Sequence, residues 1–276
     1  MTALRLRSAN ARVDLVGSEA LPAAVMSRLR GVMGQLEVGA SPAVGDVPDQ
    51  AVHVTSDDGL RLDRSPLPDD PDLAAAAVVA ALDRALLAST RCLTLHAAVV
   101  AGRRGAVIVP AVSGAGKSTL AGACQQAGLL LVSDEAACLD PDRDVLWPHP
   151  RPLGLDATSR RLLRLPDPQD GPADGERATS PALLGAVAPV DRPVVPVAVV
   201  VPERRDGSGA ATVMPVGTAE ALAALLASCL NTGAGRLWTP ERAWSRLTHF
   251  ARTVPGSRMV YGSPQDGAEA LAALLA

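Results

Sequence analysis

The sequence has few aromatic residues, a single lysine and no excess of basic charge. Aromatic residues make up 2% of its 276 residues, and the net charge of −3 gives no basic surface for DNA or RNA. Its 4 cysteines are scattered without a C-x-x-C pair, which argues against a zinc site. Because no uninterrupted apolar stretch reaches the length of a membrane span, we expect a cytoplasmic protein that binds neither nucleic acid nor membrane.

What the sequence does contain is enough apolar character for a buried core. Apolar residues reach 48% of the chain, whose length suits one large domain or a core domain with a smaller one. A weak pattern of strand (11–16), helix (21–36), strand (51–62) and helix covers residues 1–90, where Asp70 and Pro71 mark the start of the last helix. We therefore expect an α/β fold with a small N-terminal α+β module at 1–90 and a larger domain at 91–276.

One stretch has the features of a phosphate-binding loop, or P-loop. An apolar run at 105–109 leads into the loop, and a helical pattern at 118–127 leaves it. In such loops backbone N–H groups surround phosphate oxygens, the lysine binds the β- and γ-phosphates, and the hydroxyl binds Mg²⁺. The residues expected to bind the nucleotide are Ser113, Gly114, Ala115, Gly116, Lys117, Ser118 and Thr119.

Lys117 is the single lysine among 26 basic residues, and the other 25 are arginines. A compact ammonium fits between phosphate groups where a planar guanidinium does not. We therefore expect position 117 to require the compact shape of the lysine ammonium. The alternative is a short turn of small residues that caps a helix, which the flanking strand and helix patterns disfavour.

Two acidic residues follow the next apolar strand, predicted at 129–132. Only 17 residues separate Lys117 from Asp134, which leaves room for a helix of about three turns and a short connection. We therefore expect this strand to lie beside the P-loop strand and to deliver Asp134 and Glu135 to the same carboxyl edge. The alternative is that the two acids only form a turn or cap a helix.

Three segments further along the chain bear on an acceptor site. Prolines stiffen the extended segment 145–155, which either presents Arg151 to a ligand or leaves it solvated. Residues 166–193 are rich in Gly, Pro and Asp and predict a long mobile loop, which is either a lid or a plain insertion. A strand at 194–201 is expected to pair with one at 210–216.

The chain resembles the HPr kinase-like proteins over residues 91–276. The motifs that carry the resemblance follow the family's order: Leu95-His96-Ala97-Ala98, the P-loop at 113–119, Ser133-Asp134-Glu135, Pro150-Arg151-Pro152-Leu153 and the closing stretch 254–262. These proteins are relatives of the catalytic domain of bacterial HPr kinase/phosphorylase and, more distantly, of phosphoenolpyruvate carboxykinase. Some members phosphorylate a serine of a ribosomal precursor peptide, such as that of a lasso peptide.

The resemblance implies a P-loop kinase core and a role for each site residue. Lys117 would bind the ATP phosphates, Ser118 and Glu135 would hold Mg²⁺, and Asp134 would be the base. His96 would line the same pocket, unless it is an ordinary core histidine, and Arg151 would contact the substrate.

The function implied is transfer of the γ-phosphoryl group of ATP to a serine or threonine hydroxyl of a peptide or protein. A kinase of a small-molecule hydroxyl and a nucleotide-binding regulator without turnover are the alternatives. Whether the protein forms a homo-oligomer stays open.

Overall fold

Helices and mixed sheets alternate along the chain, which confirms the predicted α/β class. The computed structural model describes residues 3–33, 36–38, 49–56, 59–110, 116–166, 177–205, 207, 209–232 and 237–276. The chain divides into two units, Met1–Arg91 and Cys92–Ala276. None of the helices in the described ranges is both long enough and apolar enough to cross a membrane.

The first unit is a six-stranded sheet with two helices. Its strands are β1 (Ala3–Ser8), β2 (Ala11–Val16), β3 (Leu36–Val38), β4 (Gln50–Thr55), β5 (Arg61–Leu62) and β6 (Ser65–Pro66), and its helices are α1 (Ala23–Val32) and α2 (Pro71–Ser89). The sheet order is β3-β1-β2-β4-β5-β6, and β2 and β4 are parallel. Helix α2 starts where its sequence predicts, because the Asp70 carboxylate accepts hydrogen bonds from the N–H groups of Asp72 and Leu73.

Apolar side chains at helical spacing join this helix to the sheet. Val78, Leu82 and Leu86 of α2 are 0% exposed, and the helix packs on β2, β4 and α1. Two elements of this unit differ in length from their predictions. Helix α1 is shorter than the predicted 21–36, and the predicted strand at 51–62 is divided into β4 and β5.

The second unit is built on an eight-stranded mixed sheet. The strands of the whole unit, including two that lie outside this sheet, are β7 (Leu93–Gly102), β8 (Gly105–Pro110), β9 (Leu130–Ser133), β10 (Ala136–Leu139), β11 (Leu146–Trp147), β12 (Leu153–Leu155), β13 (Arg177–Thr179), β14 (Pro196–Arg204), β15 (Thr212–Val216) and β16 (Gly256–Tyr261). Its helices are α3 (Lys117–Gln126), α4 (Ala157–Leu162), α5 (Thr218–Ala227), α6 (Pro240–Thr253) and α7 (Pro264–Leu275). The order β11-β10-β7-β8-β14-β16-β15 includes β9 as a further partner of β7, while β12 and β13 pair separately.

Both faces of this sheet are buried by helices, and the alternation of β7 and β8 shows how. Val107 and Val109 of β8 join the core with α3 and α7, whereas Ala106 and Ile108 join the core with α5 and α6. On β7, Ala98 belongs to the α3 side, so His96, two residues earlier, lies on that side as well. The strands read as continuous apolar runs because each face has a helical layer.

Two strand pairings differ from the sequence prediction. Strand β9 pairs with β7 and not with the P-loop strand β8, because β8 pairs with its hairpin partner β7 on one side and with β14 on the other. Both β8 and β9 are antiparallel to β7, so they still point the same way. The carboxyl edge is therefore shared as expected. Strand β15 pairs with β16 and not with β14, because β16 lies between them.

The segment predicted as one long mobile loop, 166–193, contains regular structure in its second half. Strand β13 pairs with β12, Pro181–Leu183 form a short 3₁₀ helix, and Ala188 donates a backbone hydrogen bond to Leu131 on β9. Backbone groups at the open edge of β9 gain partners in this way. Residues 167–176 lie outside the described residues, and so does that part of the predicted loop or lid.

Candidate active site

The site is organised around the start of α3. Strand β8 ends at Pro110 and α3 begins at Lys117, so a strand and a helix flank the predicted phosphate-binding loop. The predicted nucleotide contacts Ser113, Gly114 and Ala115 lie outside the described residues. Gly116, the N-cap of α3, has φ of 78°, a left-handed conformation that glycine adopts without strain. In the first turn of α3, the hydroxyl of Thr119 donates a hydrogen bond to the hydroxyl of Ser159 on α4 at 2.7 Å.

Lys117 is held by His96. The lysine is 7% exposed, and its Nζ lies 3.0 Å from Nε2 of His96. An ammonium only donates hydrogen bonds, so Nε2 must be the acceptor and the imidazole must be neutral. Burial and the charge of Lys117 lower the pKa of His96, while burial also lowers the pKa of Lys117. Strand β7 thus brings a predicted catalytic residue into direct contact with the lysine of the predicted P-loop.

Asp134 and Glu135 link β9 to β10, opposite the middle of β7. The Glu135 carbonyl accepts a hydrogen bond from the N–H of Ala97 at 3.2 Å, which places both acids beside the strand that carries His96. The carboxylates have different surroundings. Asp134 is 4% exposed, whereas the Glu135 side chain is 45% exposed and pairs with Arg151 at 2.5 Å.

Ser118 and Asp134 line the same cavity, and the Ser118 hydroxyl favours the charged form of Asp134, whereas the sequence-based assignment paired Ser118 with Glu135 as metal ligands. Burial raises the pKa of Asp134 to about 6, and the Ser118 hydroxyl and the charge of Arg151 oppose that rise. The Oδ1 atom of Asp134 is buried and accepts no hydrogen bond from the part of the chain that the structure describes. A buried carboxylate oxygen in this state is suited to a ligand that brings positive charge.

Asp134→Asn is expected to stabilise the protein above pH 6 when metal and nucleotide are absent. The folded-state pKa of about 6 exceeds the ordinary 3.8, so ionisation of Asp134 opposes folding above pH 6 and has no effect below both values. The substitution should raise the free energy of unfolding by up to about 3 kcal/mol at neutral pH, and the gain should vanish as pH falls through 6 towards 4.

Urea unfolding in EDTA, at about pH 8 and about pH 4, measures this difference. Asp142→Asn is the matched control, because Asp142 is an exposed carboxylate of the same unit and its substitution should change little at either pH. A gain for Asp134→Asn that is equal at both pH values would rule out burial of the ionised group as the cause.

A cavity of about 300 Å³ collects these side chains. Its lining includes every described residue of the predicted site: His96, Gly116, Lys117, Ser118, Thr119, Asp134, Glu135 and Arg151. It also includes residues that sequence reasoning missed, namely Gly154, Asp156, Thr158, Ser159, Leu162 and Arg204. The only sequence signal for Arg204 is a charged run, Glu203 to Arg205, at the end of an apolar strand. That signal has no meaning until the strand order is known.

The residues of this cavity fit a magnesium ion better than a softer metal. One hydroxyl and two carboxylates supply hard oxygen ligands, which Mg²⁺ prefers. Within the described ranges, no group of three or more His, Cys, Asp and Glu side chains could hold a metal ion by itself. A magnesium site here would therefore need phosphate oxygens from a ligand, as sites for Mg²⁺ with nucleotides commonly do.

A second cavity of about 460 Å³ lies between residues 141–144 and α6. Both of its arginines already have partners within the protein. Arg246 pairs with Asp144 at 2.8 Å, and the guanidinium of Arg242 lies 4.4 Å from the centroid of the Trp238 ring. These contacts stabilise the fold and leave the cavity beside α3 as the stronger candidate for a site.

Helix α4 carries two arginines near the cavity, and both already donate hydrogen bonds within the protein. Arg160 donates hydrogen bonds to the hydroxyl of Thr179 and the carbonyl of Pro166. Arg161 donates one to the hydroxyl of Thr158 at 3.3 Å.

No protein-family model matches the chain, and no curated protein matches it.

Proposed function

We propose that this protein is a magnesium-dependent kinase of the HPr kinase-like type, which transfers the γ-phosphoryl group of ATP to a serine or threonine hydroxyl of a peptide or protein. The observation that carries the proposal is the joining of Lys117, Ser118 and Asp134 at the first turn of α3, with Glu135 in the same cavity. Phosphoryl transfer needs positioning and charge neutralisation more than covalent chemistry, and these groups supply both.

The metal would be held by Ser118 and Asp134. In P-loop nucleotide-binding proteins the helix hydroxyl and an acid that ends a neighbouring strand share the ion. The position of Ser118 and Asp134 in one cavity, where the Ser118 hydroxyl favours the charged form of the carboxyl group, supports that pairing. The Oδ1 atom of Asp134 is buried and accepts no hydrogen bond from the described residues, so a bound ion would supply its partner. When bound, Mg²⁺ neutralises charge on the β- and γ-phosphates. This assignment exchanges the roles that the family resemblance implies for Asp134 and Glu135.

Glu135 would then be the general base. Its carboxylate is 45% exposed, so an acceptor hydroxyl can approach it from solvent, whereas Asp134 is enclosed. During transfer the acceptor oxygen bonds to the γ-phosphorus, the bond from that phosphorus to the ADP oxygen breaks, and the hydroxyl proton passes to Glu135. General-base action of this kind contributes about 10²- to 10⁴-fold in rate.

Arg151 would orient the base and receive the acceptor. Its guanidinium binds Glu135 at 2.5 Å, and its side chain is 28% exposed at the cavity. An arginine in this position restricts the rotation of the carboxylate and offers further donors to an acidic group of the acceptor. The exposure of both side chains suits a hydroxyl carried on a chain, such as a serine of a lasso-type precursor peptide.

The proposal is tested by incubating the protein with Mg·ATP and candidate precursor peptides. Mass spectrometry should find one added phosphate on a serine or threonine residue, and Glu135→Gln should give none. Phosphorylation of free serine, threonine or another metabolite, with every peptide unmodified, would favour a small-molecule kinase. Tight nucleotide binding without a phosphorylated product would favour a regulator.

A further inference from the structure

Arg204 is a cavity residue with no role in the site as described so far. It is the last residue of β14, and β14 is parallel to the P-loop strand β8. The carboxyl ends of parallel strands meet at one edge of a sheet, so β14 delivers Arg204 to the edge at which β8 enters the phosphate-binding loop. The side chain accordingly lines the same cavity as Lys117.

Side chains alternate between the two faces of β14, so Arg204 and its sequence neighbours lie in different surroundings. Ala198 and Val200 of this strand face the core formed with α3, so Arg204 falls on the α3 face, while residues 203 and 205 fall on the other. On that other face Glu203 pairs with Arg205 at 2.6 Å and with Arg258 at 3.6 Å. Neighbouring arginines in the sequence therefore have separate environments.

Arg204 is exposed, and its side chain forms no hydrogen bond or ion pair with any residue that the structure describes. The other two cations of the cavity are engaged, Lys117 by His96 and Arg151 by Glu135. The acid Asp156 caps α4 through the N–H of Ser159. The positive charge of Arg204 therefore has no acidic partner in the cavity, which is the arrangement expected where an anionic ligand supplies that partner.

The strand order indicates which anion. Strand β7, with β9 and β10 beyond it, brings His96 and the two acids to one side of β8, whereas β14 brings Arg204 to the opposite side. An acceptor hydroxyl has to approach Glu135 and so comes from the side of the acids. We infer that Arg204 binds the γ-phosphoryl group of ATP from the side opposite Glu135, as a second cation beside Lys117. This inference rests on the proposed kinase function.

Arginine suits this task because its planar fork can donate two hydrogen bonds to phosphate oxygens. A donor fixed by a strand end acts on the charge that gathers on the transferred group as its bond to ADP breaks. The inferred contact is with the third phosphate, so it should distinguish ATP from ADP. This selectivity is a property that a purely structural arginine would lack.

The chain offers a matched pair of substitutions, Arg204→Ala and Arg205→Ala. Both remove one exposed arginine at the end of β14, but only the first changes the cavity. Calorimetry with Mg²⁺ and either ADP or a non-hydrolysable ATP analogue should show that Arg204→Ala weakens binding of the analogue about 10- to 100-fold, the effect of one charge-assisted contact. Binding of ADP should be unchanged, and Arg205→Ala should bind both ligands as the wild-type protein does.

Equal behaviour of the two variants, or an equal loss of ADP and analogue in Arg204→Ala, would overturn the inferred contact and leave the kinase proposal standing. Failure of the wild-type protein to bind either nucleotide would overturn both. Thermal unfolding of each variant provides the folding control, and two unchanged transitions are expected because both side chains are exposed.

Discussion

Lys117→Ala and Lys117→Arg should both lose phosphoryl transfer, by about 10²- to 10³-fold or more, the range measured when one fixed donor to a developing charge is removed. Alanine removes the charge. Arginine keeps the charge but changes its shape. Lys117 is 7% exposed and its Nζ lies 3.0 Å from Nε2 of His96, which leaves little space for a planar guanidinium. The measurement is the rate of ADP formation in the presence of an acceptor, at saturating Mg·ATP.

The single lysine also permits a labelling experiment without background. A lysine-directed acyl-phosphate derivative of ATP should label only Lys117 among side chains. Arg104→Lys is the control, because it adds an exposed lysine in the β7–β8 turn, away from the cavity, and this position should stay unlabelled. Full activity of Lys117→Arg would contradict the claim that this position needs the shape of lysine. Labelling of Arg104→Lys at the new position as strong as at Lys117 would contradict the claim that Lys117 lies at the nucleotide site.

The second large effect concerns the two carboxylates. Glu135→Gln should bind Mg·ATP as the wild-type protein does and should lose about 10²- to 10⁴-fold in transfer, because a base is removed and the fold is not. Asp134→Asn should instead weaken magnesium-dependent nucleotide binding, because it changes the partner of Ser118. Calorimetry at several Mg²⁺ concentrations and single-turnover transfer rates separate the two effects.

Asp142→Asn again provides the control for loss of one carboxylate at the surface of this unit. The contrary outcome is equally clear. If Asp134→Asn keeps its affinity for Mg·ATP and loses transfer, while Glu135→Gln raises the Mg²⁺ requirement, the roles are those implied by the family resemblance. The interaction between Ser118 and Asp134 would then have no part in metal binding.

Local signals allowed the sequence to predict individual elements well. The Asp70 cap, the β7–β8 hairpin and helix α3, which ends just before a glycine of φ 89° at position 128, all follow from residues close in the chain. Asp156 likewise starts α4, as its position before a basic helical stretch indicates. Each of these depends on a cap, a turn or a short apolar run, and none requires knowledge of distant partners.

Pairings between distant strands were the part that sequence could not predict. Strand β16 enters the sheet between β14 and β15, although about 40 residues separate it from β15, and apolar runs carry no information about which edge they occupy. The same limit applies to the site. Lys117, Asp134 and Glu135 stand in recognisable motifs, whereas Arg204 becomes a candidate only once β14 is known to lie next to β8. The tertiary structure also determines side-chain burial, which is nearly complete for Asp134 and only partial for Glu135.

Transfer of a labelled γ-phosphoryl group from Mg·ATP, followed side by side in the wild-type protein and in Glu135→Gln, tests the central claim most directly. The account predicts that the label appears on a serine or threonine hydroxyl of a peptide or protein acceptor with the wild-type protein, and that Glu135→Gln binds the nucleotide but leaves the acceptor unlabelled. Nucleotide binding by the wild-type protein with no label on any peptide or protein hydroxyl would contradict it.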